Sequence, residues 1–281
     1  MTVGAILFVS FVILLCIGLP VSISMGASSL LALIAGNHPL EMLPLQVVGG
    51  TKSFILLAIP LFILAGNIMN RGGITKRIFD FATALVGWIP GGLAQVNVMA
   101  SIIFAGISGT AVADQAGLGL IEMQSMTEAG YDEKFAAGIT LASSLIGPII
   151  PPSVPFILHS YLSGVSTAKL FAAGIIPGLF IAFLLMFYCY RVAVTGKVQC
   201  PAPERFSFAR LVKSFKNSYL AVLAPVIILV GMLSGVVTPT ETGIVAVTYC
   251  TIVGFVYKDL RLKDLPQIIR DSVLSTALIM F

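Results

Sequence analysis

The sequence predicts an all-α integral membrane protein whose helices are interrupted by polar breaks. Of its 281 residues, 58% are hydrophobic and only 10% are charged, whereas soluble domains carry about 25% charged residues. Apolar runs without charge cover most of the chain, and several reach the ~20 residues that one helical span needs. Two polar breaks, at residues 108–110 and 147–153, lie inside such sequence. Because unpaired backbone groups are costly in a membrane, these breaks are expected to carry the function.

Composition also excludes several classes of protein. The net charge of +4 lies mainly in short loops, so it reports membrane topology and does not indicate nucleic-acid binding. The four cysteines are scattered without CxxC spacing, which is typical of small apolar packing residues. A GxxxxGK[ST] motif for nucleotide binding is absent from the printed sequence. The chain is therefore not expected to hydrolyse ATP by that route. We expect a protein that is not an enzyme and carries no cofactor.

The N-terminal region has no charge through residue 40. That length exceeds one straight span and is short for two, and Pro20 near its middle breaks or kinks a helix. A kinked span and a span with a re-entrant piece are both possible. Residues 38–52, with Pro39 and Pro44, are predicted to form a loop.

Residues 53–70 are predicted to form a span, and the basic residues that follow it indicate the cytoplasmic side. Residues 76–88 place apolar side chains on one helical face, which predicts an amphipathic helix along the membrane surface. The start of a tilted span is the alternative. The apolar face consists of Ile78, Phe79, Ala82, Leu85 and Val86.

Residues 93–123 are predicted to form a re-entrant hairpin around the break at 108–110. Each arm has about 12–15 residues, too short to cross a ~30 Å core at 1.5 Å per residue. Residues 135–157 are predicted to cross the membrane with an interruption at 147–153. Residues 169–190 then cross back to a basic loop at 191–216, which we expect to be cytoplasmic. Residues 217–237 cross again.

The prolines at positions 148, 151 and 152 predict free carbonyls, because proline removes the donor that a helix would supply. Free carbonyls in a dry interior suit Na⁺, and the adjacent helix end adds partial negative charge. The opposite helix end presents N–H groups, which suit a carboxylate. Two such breaks facing each other are typical of a secondary-transporter site. The carbonyls predicted to be free are those of Ser144, Gly147 and Pro148.

Two acidic residues near the breaks have two interpretations each. Asp114 lies at the end of a long uncharged stretch, and acids inside membranes are functional by default. It also lies one turn beyond the hairpin tip, where it could cap the outgoing arm. Glu241 follows a third polar break at 238–243, and helix capping is favoured over pairing with a cation.

Four segments resemble the large membrane subunit of tripartite ATP-independent periplasmic (TRAP) transporters. They are LLAIPLFILAGNIM at 56–69, SGTAVAD at 108–114, GPIIPPS at 147–153 and TPTETG at 238–243. The resemblance covers essentially the whole chain. Family members are longer, so the sequence is expected to lack a C-terminal part.

The resemblance implies an elevator-type secondary transporter related to the ion-transporter superfamily. It implies Na⁺-coupled import of organic acids, such as C4-dicarboxylates or sialic acids, across the bacterial inner membrane. The implied partners are a small four-helix membrane subunit and a periplasmic substrate-binding protein. Nucleic acid is not among them, and Na⁺ enters as the coupling ion.

The resemblance also implies site residues. A first Na⁺ would bind backbone oxygens of Ala105, Ser108, Gly147, Ile150 and Pro152. A second Na⁺ would involve Gly235 and Thr238, completed by residues that are not in this sequence. The solute would lie near Ser108, Gly109, Thr110 and Ser153. The family often has serine where this chain has Thr110, which keeps the hydroxyl.

The resemblance divides the chain into four regions. Residues 1–92 would form scaffold helices and the amphipathic arm, and residues 93–168 half of the transport domain. Residues 169–216 would be a connecting span with its basic loop, and residues 217–281 the start of an incomplete second inverted repeat. A single-component Na⁺-coupled dicarboxylate carrier is the nearest alternative. A membrane-embedded transferase is a remote one, since the chain lacks the clustered Asp or His residues such enzymes use.

Overall fold

The computed structural model describes residues 2–196, 198–201 and 205–280, and it is built of helices joined by turns across these ranges. Lys197 and Glu204, which belong to the predicted basic loop, lie outside the described residues. The all-helical prediction is confirmed. The α-helices are α1 Val3–Cys16, α2 Val21–Ala35, α3 Met42–Thr51, α4 Ala58–Arg71, α5 Ile74–Val86, α6 Leu93–Ser108, α7 Ala111–Asp114, α8 Leu120–Glu128, α9 Glu133–Ser144, α10 Val154–Ser163, α11 Thr167–Thr195, α12 Phe208–Leu233, α13 Pro239–Val256 and α14 Leu265–Met280.

The chain divides into two compact units, and residues 1–54 with 279–281 form the first. In it, α1 and α2 pack against each other. The turn between them contains Gly18, with φ +89°, and Pro20 begins the second helix. The kinked single span is therefore wrong, because two separate helices fill this region.

The predicted loop at residues 38–52 is also wrong in part. Residues Met42–Thr51 form α3. Pro44 lies in the first turn of this helix, where the backbone N–H has no helical partner in any case. A proline near a helix start therefore does not exclude the helix.

The second unit runs from residue 55 to residue 278. Within it, α6 occupies a central position and packs against α4, α5, α9, α11 and α12. Helix α13 packs along α4, and α12 packs along α5. This arrangement buries α6 almost completely, together with the polar side chains near its end.

Four helical segments of the described chain are long and apolar enough to cross a membrane: Phe54–Arg71, α11, α12 and α13. Helices α1, α2 and α6 are apolar but shorter. Together with the composition, they make this a multi-pass membrane protein.

Helix α5 corresponds to the predicted amphipathic arm. Ile78, Phe79, Ala82 and Val86 are buried and Leu85 is half-buried, so the predicted apolar face is the packed face. That face is covered by protein, because α5 packs against α6 and α12. Its placement along the membrane surface remains a prediction.

Candidate functional site

The tip of the predicted hairpin is a sharp break between two helices. Helix α6 ends at Ser108, and Gly109 takes φ +63°, a left-handed conformation that suits glycine. Thr110 then begins α7, and its hydroxyl accepts the backbone N–H of Ala113 at 3.1 Å. Ser108, Gly109 and Thr110 are all buried. The tip thus brings a helix C-terminus and a helix N-terminus together inside the protein.

The second break separates α9 from α10. Helix α9 ends at Ser144, and the chain turns through residues 145–152 before Ser153 begins α10. The Ser153 hydroxyl donates to the carbonyl of Pro148 at 2.5 Å and accepts the N–H of Phe156 at 3.3 Å. One buried side chain therefore fixes both the turn and the helix that follows.

The two breaks are in direct contact. The backbone N–H of Val154 donates to the carbonyl of Gly109 at 3.1 Å. A Cβ atom on Gly109 would lie 2.5 Å from the Pro152 carbonyl oxygen, and one on Gly147 would lie 3.3 Å from the Thr110 carbonyl oxygen. Glycine is thus required at position 109 for the backbones to approach, whereas a side chain at position 147 would need its neighbours to shift by only a few tenths of an ångström. The sequence-predicted residues of the first Na⁺ site and the solute site come together here.

The carbonyls of the second break differ in part from the sequence prediction. Those of Ser144 and Pro148 are not free, because the first accepts the N–H of Gly147 at 3.1 Å and the second the Ser153 hydroxyl. The Gly147 carbonyl accepts no hydrogen bond from the described residues, as predicted, and those of Ile150 and Pro152 accept none either. Buried carbonyls without donors are suitable oxygen ligands for a cation.

Helix α4 forms a further wall of the site. A Cβ on Gly66 would lie 3.6 Å from the Ser108 Cβ, so the helix backbone lies close against the tip. The Ser108 hydroxyl is fully buried and has no hydrogen-bond partner among the described residues. A buried hydroxyl of this kind is available to a ligand.

Comparison with known proteins identifies the family. Residues 8–281 match the family described as "Tripartite ATP-independent periplasmic transporter, DctM component". The chain belongs to the DctM family.

Curated relatives agree with this assignment. The sialic acid TRAP transporter permease protein SiaT of Haemophilus influenzae is 44% identical over 257 residues, covering 91% of this chain and 41% of that protein. The large permease protein SiaM of Vibrio cholerae is 43% identical, covering 95% of this chain and 62% of that protein. The C4-dicarboxylate large permease DctM of Pseudomonas aeruginosa is 38% identical, covering 92% and 60%. The chain thus spans less than two thirds of the length of these relatives.

In this DctM-family chain the residues of the second predicted Na⁺ site lie in the turn between α12 and α13. Gly235 is exposed with φ +72°. Thr238 forms a capping box with Glu241, whose carboxylate accepts the Thr238 N–H at 2.7 Å. The capping interpretation of Glu241 is confirmed. No described hydrogen bond joins this turn to the two breaks, so the second Na⁺ assignment stays a prediction.

Asp114 does not cap the outgoing arm, because Thr110 supplies the cap of α7. Its carboxylate is buried, with 1% of the residue exposed, and neither oxygen has a hydrogen-bond partner in the described chain. A π-helical turn, Gln115–Gly119, follows it immediately. Such turns often lie at functional sites.

Sequence reasoning missed a buried polar cluster behind the tip. The Asn97 amide donates to the Thr140 hydroxyl at 2.7 Å and accepts the Ser143 hydroxyl at 2.6 Å. The Gln115 amide donates to the Thr140 carbonyl at 2.6 Å. These bonds tie both hairpin arms to α9. The spacing of Asn97, Ser101 and Ser108 on one face of α6 was the available signal.

Glu122 was missed as well. It lies on α8 with 1% of the residue exposed. An acid within the run LGLIEM, eight residues beyond Asp114, was visible in the sequence.

Proposed function

We propose that the chain belongs to the large permease of a TRAP transporter that imports organic acids driven by Na⁺. The match over residues 8–281 supports the transporter class. The contact between the tip and the second break supports the site, since it gathers the carbonyl and hydroxyl oxygens that a sodium ion would need. The protein would lie in the bacterial inner membrane.

The first Na⁺ would bind between the two breaks. Ala105 and Ser108 stand at the C-terminal end of α6, where the helix dipole is negative. Gly147, Ile150 and Pro152 would add carbonyls from the second break. Together these oxygens could replace the hydration shell of the ion.

The solute would bind on the other side of the same contact. Helices α7 and α10 both begin there, at Thr110 and Ser153. Helix N-termini attract carboxylates. Relatives are named for sialic acid, 2,3-diketo-L-gulonate and C4-dicarboxylates. All of these are organic acids, so we assign a carboxylate-bearing solute to this position.

Transport would follow an elevator mechanism, in which the unit carrying the two breaks moves across the membrane. A small four-helix subunit would brace the permease, and a periplasmic binding protein would deliver the solute. Energy would come from Na⁺ entry, worth about 2.3 kcal/mol per charge per 100 mV of membrane potential.

The experiment is uptake by proteoliposomes. The permease is reconstituted with its small subunit, and uptake of labelled sialic acid and of a labelled C4-dicarboxylate is measured with an inward Na⁺ gradient. Uptake that requires both Na⁺ and the binding protein supports the proposal. Na⁺-driven uptake without binding protein would instead identify a single-component carrier, and uptake with K⁺ in place of Na⁺ would contradict the coupling ion.

A further inference from the structure

A basic cleft lies between α5 and the first turns of α12. It consists of two adjoining hollows, of about 540 Å³ and about 300 Å³, and both are lined by Asp80 and Asn217. Five cations and two carboxylates line the hollows, so the cleft carries an excess of positive charge. The carboxylates are those of Asp80 and Asp259. The cations are Lys76, Arg77, Arg210, Lys213 and Lys216.

Arg77 fixes the shape of the cleft. Its guanidinium pairs with Asp259, donates to the Gly73 carbonyl at 2.9 Å and lies 3.8 Å from the centre of the Tyr257 ring. Its own carbonyl accepts the hydroxyl of Ser218, a buried residue of α12, at 2.9 Å. These contacts hold α5, α12 and the turn after α13 together, so the walls of the cleft are formed before any ligand binds.

The lysines of the cleft supply charge that Arg77 does not. Lys76, Lys213 and Lys216 are exposed, and the described part of the chain gives them no ion pair. Asp259 already pairs with Arg77, so Asp80 is the carboxylate that remains to offset them. The cleft is therefore suited to an anion.

The start of α12 is expected at the level of the lipid headgroups. All charges of this helix lie in residues 208–216, and residues 217–233 carry none. Because α12 is long and apolar enough to cross a membrane, its charged end would lie where the apolar core ends. Trp88, just after α5, packs against Phe206 with 5.7 Å between ring centres, and tryptophan is enriched at this level.

The same two helices also line an apolar hollow of about 260 Å³. Phe81 directly follows Asp80, and Phe215 directly follows Ser214, so the apolar hollow lies beside the basic cleft. The rings of Phe81 and Phe215 are 5.9 Å apart. The hollow is lined by Phe81, Leu85, Leu211, Val212 and Phe215.

We propose that the basic cleft binds the headgroup of an anionic phospholipid, with an acyl chain in the apolar hollow. A soluble phosphate compound would use the cations alone, and an acidic protein segment would not need the apolar hollow beside them. A phospholipid matches both surfaces, and basic pockets between membrane helices bind such headgroups. The site is separate from the two breaks, and its test does not depend on transport.

Native mass spectrometry of the purified protein in detergent tests the proposal. Phosphatidylglycerol should bind more tightly than phosphatidylcholine with the same acyl chains, and more tightly than glycerol 3-phosphate. Equal binding of the two lipids would overturn recognition of charge. Equal binding of glycerol 3-phosphate would identify a site for soluble phosphates and overturn the lipid. Failure of phosphatidylglycerol to bind, as expected if an acidic protein segment covers the cleft, would overturn it too.

A pair of charge-matched variants locates the headgroup. Lys213→Gln with Lys216→Gln should weaken phosphatidylglycerol binding about 25-fold, since each lysine beside an anionic headgroup contributes about fivefold. Lys134→Gln with Lys263→Gln is the control, because it removes the same charge from exposed positions outside the cleft. The control should bind like the wild type. Equal weakening in both double variants would indicate general charge attraction and overturn the site.

A second measurement uses the wild type alone and so covers a variant that fails to fold. Phosphatidylglycerol with a photoreactive group on its acyl chain is cross-linked to the protein, and the labelled peptides are identified by mass spectrometry. Labelling should fall on residues 81–85 and 211–215. It should be prevented by unlabelled phosphatidylglycerol and not by phosphatidylcholine. Labelling confined to other helices would overturn the proposal.

Discussion

The backbone N–H of Val154 donates a hydrogen bond to the carbonyl of Gly109 across 3.1 Å. This bond joins the first residue of α10 to Gly109, the residue that follows α6. It uses a free donor of one helix start to satisfy a carbonyl of the hairpin tip. The two breaks are therefore one structural feature, and changes at either one should affect both.

Ser153→Ala should weaken the second break and lower uptake. Ser153 caps α10 and holds the Pro148 carbonyl, so its loss should cost about 1 kcal/mol or more of unfolding free energy. Ser207→Ala removes a cap at the exposed start of α12, far along the chain from the breaks. We expect a comparable stability loss there with normal uptake. Equal uptake in both variants would show that Ser153 has no role in the transport site beyond stabilising its helix.

Gly106→Ala should push α6 away from α12 and lower the stability of the protein. A Cβ at this position would lie 2.5 Å from the Cβ of Pro225, whose ring cannot rotate away. Gly138→Ala is the control, since its Cβ would meet nothing within 4 Å. Alanine there should be neutral or stabilise α9 by up to ~1 kcal/mol. Thermal unfolding measures the stability of both variants. A Gly106→Ala variant as stable as the wild type would contradict the close packing of α6 against α12.

Asn97→Leu should destabilise the hairpin. The Asn97 amide bridges Thr140 and Ser143, so its removal leaves buried polar groups without partners, at a cost of about 1–3 kcal/mol. Gln124→Ala removes an exposed amide from α8 and should stay within about 0.5 kcal/mol of wild type. Denaturant titration distinguishes them. A neutral Asn97→Leu would show that the cluster is not structural.

Cysteine labelling tests the re-entrant topology. In a cysteine-free background, Lys76→Cys, which precedes residues 93–123, and Ser125→Cys, which follows them, should react with an impermeant reagent from the same side, because a hairpin enters and leaves on one face. Ser234→Cys lies at the far end of the apolar helix α12 and should react from the other side. Opposite accessibility of Lys76→Cys and Ser125→Cys would refute the hairpin.

The positions of both breaks could be predicted because glycine and proline act locally. Gly109 needs a left-handed backbone, and prolines at 148, 151 and 152 cannot continue a helix. The fate of the freed carbonyls could not be predicted. The Ser153 hydroxyl donates to the Pro148 carbonyl across a turn, and the shape of that turn depends on its packing against the tip. Only the tertiary structure therefore decides which carbonyl stays free.

Contacts between residues that lie far apart in the chain could not be predicted from the sequence either. The approach of Gly66 to Ser108 depends on how α4 packs, which no local pattern in residues 56–69 encodes. Glu122 was predictable in kind, as an acid in an apolar run, but its burial depends on how the outgoing arm packs.

Sodium-dependent thermal stability of the purified protein tests the central claim, that the two breaks form one Na⁺ site. A ligand that binds only the folded state stabilises it, by about 2.7 kcal/mol at 100 times its Kd. The wild type should melt at higher temperature in Na⁺ than in K⁺. Gly109→Ala, whose Cβ would overlap the Pro152 carbonyl, should lose this response. Gly164→Ala should keep it, because its left-handed glycine carries similar strain in open space. A Na⁺ response that survives in Gly109→Ala, or that K⁺ reproduces in the wild type, would contradict the site.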